Sequence, residues 1–69
     1  MKISARNTLP GVIRQIEQGA VNAEIAIEVA PGITITSIIT LDAVKSLNLK
    51  VGGRAYAVIK ASSVMVGVD

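Results

Sequence analysis

The sequence predicts an all-β domain with little helix, most simply a five-stranded barrel that includes one short helix. Apolar and polar residues alternate with a period of two through most of the chain, which is the pattern of strands that bury one face. A single stretch near the middle has helical spacing, and Gly-containing turns separate the strands. Many short strands with one small helix favour an OB-like barrel, whose closure reduces the exposed strand edges.

The first predicted strand has two halves, Ile3–Leu9 and Val12–Ile16. Pro10 between them lacks an N–H, so we expect a strand edge or a bend at this point. Gln18 and Gly19 then form a turn into the next strand.

The second predicted strand, Val21–Val29, shows the clearest alternation in the sequence. One face carries Val21, Ala23, Ile25, Ile27 and Val29. Pro31-Gly32 fits a type II turn, since Pro presets φ and Gly allows a positive φ. The third strand follows from Ile33 to Thr40, but Ser37 and Ile38 break its alternation. That break predicts a bulge, or else an apolar outer surface that a partner covers.

The only helix candidate begins after Thr40, a plausible N-cap, and carries Asp42 in its first turn, where the helix dipole favours a carboxylate. Asn48 is suited to end the helix in the left-handed conformation. Two further strands are predicted after the loop that follows, at Arg54–Lys60 and Ser63–Val68.

The composition limits what the chain can do. With 69 residues it forms one domain at most, and without Cys or His it cannot use disulfides, thiolate or imidazole metal ligands, or a histidine base. Because 51% of the residues are hydrophobic and only 17% are charged, one small monomer cannot bury all the apolar side chains. We therefore expect the chain to associate with copies of itself.

Charge and hydropathy patterns argue against several partners. The net charge is +2 and the cations are scattered, which is unlike a nucleic-acid-binding surface. The longest charge-free stretch, Val29–Leu41, has 13 residues, too few for a membrane-spanning helix. The beginning of the chain lacks the apolar stretch of a signal peptide. The expectation is a soluble, cytoplasmic protein with no nucleic-acid or membrane partner.

Catalysis is poorly supported. Glu24 and Glu28 share a strand face, but they would lie about 13 Å apart, too far to act on one bond. No phosphate-binding loop motif is present. The sequence therefore predicts a binding protein rather than an enzyme, with no residue assigned a catalytic role.

Two pairs of donors favour an oxyanion as the ligand. Ser4 and Arg6 point the same way from a strand, about 6.6 Å apart, and Lys60 and Ser62 repeat this arrangement near the other end. N–H groups at the helix start beside Thr40 are a third source of donors. The alternative is that each cation is simply solvated, and the spacing alone does not bring the clusters together.

The turn Gly19–Asn22 offers another possibility. A Gly-containing turn can direct successive N–H groups towards an anion. An ordinary hairpin turn is the alternative at this position.

Three segments of the chain together resemble the molbindins, small single-Mop-domain proteins of the TOBE-like group. The segments are Met1–Asn7, Gly19–Glu24 and Tyr56–Val66. The resemblance extends over the whole chain, which makes residues 1–69 a single Mop/TOBE-like oxyanion-binding domain. It implies a cytoplasmic protein that binds molybdate, or similarly tungstate, and needs no catalytic cofactor. It also implies a homohexamer built as a trimer of dimers, with anion sites between subunits.

The resemblance also assigns residues to the sites. In one site, four residues of one subunit meet three residues of another around one anion, and Thr40 approaches the same anion. The two groups are Ser4, Ala5, Arg6 and Asn7, and Lys60, Ala61 and Ser62. A second site near the three-fold axis would use backbone N–H groups of Gly19, Ala20, Val21 and Asn22. Ala43 stands where the family commonly has Ser, and Pro10 where Lys is frequent, which removes a hydroxyl and a positive charge.

Three binding functions remain open at this point. The first is a store or buffer for molybdate, and the second is a structural oligomerisation or regulatory interaction module without a storage role. The third, an OB-like nucleic-acid binder, is disfavoured because such folds stack bases on aromatic side chains and Tyr56 is the only aromatic residue.

Overall fold

A computed structural model describes all 69 residues and shows a mostly β fold with one short helix. The elements in chain order are β1 (Asn7–Gln18), β2 (Asn22–Ala30), β3 (Ile33–Thr40), α1 (Leu41–Ser46), β4 (Arg54–Ile59) and a 3₁₀ turn (Ala61–Ser63). The strands form one antiparallel sheet in the order β3-β2-β1-β4. The predicted fold class is confirmed, whereas the predicted number of strands is not, because the sheet has four strands rather than five.

Strand β1 is continuous, but it changes partner near its middle. Its first residues, from Asn7, pair with β4 alone, and the pairing with β2 begins only at Val12. Pro10 therefore lies where β1 has no bond to β2 to lose. The prediction of two separate strand halves is wrong, and so is a start at Ile3. The predicted strand edge at Pro10 is present on one side only, because β1 pairs with β4 but not with β2 at this residue. The sheet curls where β1 changes partner.

The predicted fifth strand at Ser63–Val68 does not form. After Ile59 the chain enters a 3₁₀ turn, in which the Ser63 N–H donates to the Lys60 carbonyl at 2.8 Å. Residues 64–69 are all exposed and have no strand partner. Alternating valines are typical of a strand, but a strand also needs a neighbouring strand to pair with. Within one chain this segment pairs with no strand edge.

The core lies on the inner face of the curled sheet and beneath the helix. Six side chains are buried: Ile13, Ala23, Ile25, Ile27, Val44 and Ala57. The predicted inner face of β2 is thus confirmed for its three central members. Val21 precedes β2 and is exposed, so its predicted place on that face is wrong.

The helix ends are set by the residues that the sequence indicated. The Ala43 N–H donates to Thr40 Oγ1 at 3.0 Å, which is an N-cap bond. Asn48 adopts a φ of 52°, and the Leu49 N–H donates to the Val44 carbonyl, as in a Schellman ending. The helix has only six residues, and no helix of the structure is long and apolar enough to span a membrane.

The turn and the outer face of β3 resolve two further expectations. Gly32 has a φ of 76°, as the predicted type II turn requires. No bulge occurs at Ser37 or Ile38, because the β2–β3 register is regular there and shifts only between Glu28 and Ala30. Ile38 is instead an exposed apolar residue on the outer surface of the sheet.

Gly11 permits the close approach of β1 and β2, and we expect Gly11→Ala to destabilise the fold. An added Cβ would lie 2.6 Å from the Glu28 carbonyl oxygen and 2.8 Å from Ile27 Cγ2. Backbone atoms cannot yield as a flexible side chain can, so the cost should be about 1–3 kcal/mol. Urea unfolding followed by circular dichroism measures it. Gly19→Ala is the control, since its Cβ would meet the Asn22 oxygen at 3.2 Å in an exposed turn. Equal losses in the two variants would contradict the prediction.

Candidate anion-binding site

The two ends of the chain form one open cleft beside the β1–β4 ladder. Asn7 pairs with Ile59 in that ladder, so the segment before β1 and the turn after β4 lie side by side. The cleft has a volume of about 590 Å³. It is lined by Ile3, Ser4, Ala5, Arg6, Val58, Lys60, Ala61 and Ser62. Six of the eight residues predicted for the first site therefore share one cleft within a single chain.

The polar side chains of the cleft have no hydrogen-bond or ion-pair partners within the chain. Neither cation forms an ion pair, since the only salt bridge joins Arg14 to Glu28 elsewhere, at 2.9 Å. The Ser4 and Ser62 hydroxyls make no hydrogen bond, and no carboxylate lines the cleft. Arg6 offers a planar fork of donors and Lys60 a compact positive charge. Such a set is suited to a small anion with several oxygen atoms.

Asn7, predicted for the same site, does not line the cleft. Its Nδ2 donates to the Ile59 carbonyl at 3.3 Å, and it is absent from the lining. This bond ties the start of β1 to the end of β4, so Asn7 helps to hold the two donor segments together. Its predicted part in anion binding stays a prediction.

Thr40 is not part of this cleft. It ends β3, and both β2 and β1 separate β3 from β4. Its Oγ1 accepts the capping bond from Ala43, and it pairs with Asn22 beside the second predicted site. A donor from Thr40 can reach an anion in the cleft only if a neighbouring copy supplies it.

The second predicted site coincides in part with a smaller hollow of about 290 Å³. Gly19 and Asn22 line this hollow, whereas Ala20 and Val21 do not. The Gly19 N–H already donates to the Asn22 carbonyl at 2.8 Å. Glu17 and Glu24, which are cross-strand neighbours, also line the hollow. Within one chain these carboxylates oppose an anion at this position, so the role of the turn as a second anion site stays a prediction.

The apolar walls of the cleft are not among the residues predicted from the sequence. Ile3 and Val58 both line it. The sequence pattern that could have predicted Val58 is its position two residues before Lys60 in a strand, since alternate residues share a face. No group of His, Cys, Asp or Glu side chains in the structure is arranged to hold a metal ion.

Comparisons with known proteins show the family and the fold of the chain. A TOBE domain model matches residues 3–66. The chain is 56% identical over 69 residues to a probable molybdenum-pterin-binding protein of Haemophilus influenzae, and the match covers all of both chains. Its fold superposes on MopII from Clostridium pasteurianum with a TM-score of 0.90 and 45% identity, covering 97% of this chain and 100% of that one. It also superposes on the molybdate-bound cytoplasmic molybdate-binding protein ModG with a TM-score of 0.94 and 51% identity, covering 100% of this chain and 49% of that one.

Proposed function

The chain belongs to the TOBE domain family, and from that premise we propose that it binds molybdate in the cleft between Ser4–Arg6 and Lys60–Ser62. The resemblance to the single-Mop-domain proteins is confirmed by the matched relatives. The observation that carries the proposal is the meeting of an unpaired guanidinium and an unpaired ammonium in one cleft without a carboxylate.

The chemistry of molybdate fits these residues. Molybdate is a tetrahedral dianion, and its removal from water is costly unless charges and donors replace the water. Arg6 and Lys60 neutralise the two negative charges. The Ser4 and Ser62 hydroxyls donate hydrogen bonds to oxygen atoms of the anion. Tungstate has nearly the same size and the same charge, so it should bind similarly.

The openness of the cleft supports a site that is completed between subunits. At about 590 Å³, the cleft is larger than one tetrahedral anion needs, and its cations are exposed. A neighbouring copy would close it, with Thr40 as one contributed donor and the Gly19–Asn22 turn at a second site. The proposed assembly is a homohexamer arranged as a trimer of dimers. Binding would then stabilise the assembly by mass action.

Reversible storage or buffering in the cytoplasm is the role that best suits such a site. In this proposal residues 1–69 act as one binding unit rather than an enzyme, because the donors of the cleft suit an anion that is bound and released unchanged. The relatives are named as binding proteins.

A pterin is a less suitable ligand than the bare oxyanion. The name of the Haemophilus influenzae relative includes a pterin, and a pterin ring would require an aromatic or broad apolar face to stack on. The only aromatic residue, Tyr56, does not line the cleft. The donors in the cleft match the oxygen atoms of the anion.

The alternative is a structural oligomerisation or regulatory interaction module without a storage role. The exposed apolar side chains outside the cleft favour it. In that case the cations are solvated, and molybdate has no effect on stability or assembly.

Thermal unfolding with and without molybdate, together with calorimetric titration, separates the two functions. A ligand at 100 times its Kd stabilises the native state by about 2.7 kcal/mol, which in a domain of this size raises Tm by roughly 10–20 °C. Sulfate, with the same charge and shape in a smaller anion, is the control. We expect a large shift with molybdate and a smaller one with sulfate. No heat of binding and no shift with molybdate would exclude storage.

A further inference from the structure

One side-chain hydrogen bond joins distant parts of the chain next to the cleft. The Asn7 Nδ2 donates to the Ile59 carbonyl at 3.3 Å, across 52 positions of the sequence. The two other hydrogen bonds between a side chain and the backbone each span only three residues. The Asn7 bond is therefore the one long-range tie of this kind in the structure.

This bond lies at the last rung of the β1–β4 ladder. Asn7 begins β1 and Ile59 ends β4, and the two are register partners. Arg6 directly precedes the first of them, and Lys60 directly follows the second. No ladder holds the donor segments beyond this rung, because residues 1–6 belong to no strand and the chain after β4 enters the 3₁₀ turn. The separation of the two cations therefore depends on how firmly the last rung is held.

The Asn7 amide supports the backbone where a ladder is weakest. The ends of strands open more readily than their centres, because they have neighbouring rungs on one side only. The Asn7 side chain is half-buried, and a hydrogen bond that is partly shielded from water is stronger than an exposed one. Neither Asn7 nor Ile59 lines the cleft, so this bond can affect a bound anion only through the residues next to it.

We propose that Asn7 is a positioning residue of the anion site, which sets the separation of Arg6 and Lys60. The inference rests on the proposed binding of molybdate in the cleft. Two cations that face one empty cleft repel each other, and ordering two flexible donor segments costs free energy on binding. A tie that is made before the anion arrives lowers that cost, because the donors are already side by side.

Loss of the tie is expected to weaken molybdate binding although both cations remain. In Asn7→Ala the Ile59 carbonyl loses its side-chain donor. The Kd for molybdate should rise about fivefold to tenfold, the factor that corresponds to one neutral hydrogen bond. Calorimetric titration of the folded variant beside the parent provides the measurement.

A disulfide in place of the hydrogen bond separates positioning from direct contact with the anion. The chain has no native cysteine. Asn7 and Ile59 are antiparallel register partners, whose Cα atoms lie about 4.5–5.5 Å apart, within the range that a disulfide spans. The variant Asn7→Cys/Ile59→Cys is titrated with molybdate in its reduced and its oxidised form, after the reductant has been removed. The matched control is Val12→Cys/Arg54→Cys, whose disulfide joins the same two strands at the other end of the ladder.

The reduced form should bind molybdate about fivefold to tenfold more weakly than the parent, and oxidation should return the Kd to within about twofold of the parent value. The control should have the same Kd in both redox states, because its disulfide stabilises the fold without tying the donor segments together. A Kd that stays raised after oxidation means that the Asn7 amide contacts the anion itself, and it overturns the inference.

Three other results overturn the inference as well. They are an Asn7→Ala variant that binds like the parent, an equal response of the two disulfide variants to oxidation, and cysteines at positions 7 and 59 that do not join. A parent chain that binds no molybdate would exclude the proposed function, and the inference with it.

Discussion

Loss of either cation from the cleft is expected to weaken molybdate binding by about 10- to 100-fold. A hydrogen bond to a charged group contributes about 1.5–3 kcal/mol, and about 1.4 kcal/mol corresponds to a factor of ten in Kd. Arg6→Ala removes a fork of donors and Lys60→Ala removes a point charge, so the double variant should show no measurable binding at micromolar protein. Calorimetric titration of each folded variant provides the measurement.

Matched controls separate the cleft from general electrostatics. Lys45→Ala and Arg54→Ala remove the same charges from exposed positions that do not line the cleft. These variants should bind molybdate within about threefold of the parent, because exposed charges at a distance are screened by salt. If the cleft variants bind as tightly as the controls, the molybdate site lies outside this cleft.

The local signals in the sequence predicted the elements well because neighbouring residues determine them. Thr40 caps the helix and Asn48 ends it in the left-handed region as predicted. The inner face of β2 follows from its alternation, since the period of two decides which side chains reach the core. Each of these features depends on contacts within a few residues or on one face of one strand.

The remaining features depend on pairing between distant parts of the chain. The meeting of Ser4–Arg6 with Lys60–Ser62 requires β1 to lie beside β4, and no local pattern specifies that neighbour. Residues 64–68 have the pattern of a strand yet form none, because pattern does not reveal whether an edge is available. The roles of Thr40 and of Gly19–Asn22 in anion binding stay predictions for the same reason, since they depend on how copies of the chain associate.

Replacing Ile25 with alanine is expected to unfold most of the protein. Ile25 is 1% exposed at the centre of the core, and truncation of such a side chain costs about 2–5 kcal/mol, with a cavity as part of the cost. A single core in so short a chain rarely supplies more than about 3–5 kcal/mol. The loss is therefore comparable to the whole free energy of unfolding of one subunit. Urea unfolding at a fixed protein concentration, followed by far-ultraviolet circular dichroism, measures the change.

Ile38→Ala is the matched control for this change, because it removes the same atoms from the adjacent strand. Ile38 lies next to Glu24 in the β2–β3 ladder but is 70% exposed on the outer face, so its truncation should cost about 0.5 kcal/mol or less. Molybdate at 100 times its Kd should return about 2.7 kcal/mol to the Ile25→Ala variant, since only the folded chain holds Arg6 and Lys60 in one cleft. Equal destabilisation by the two truncations would mean that the outer face of β3 is buried as deeply as the core, against another copy of the chain.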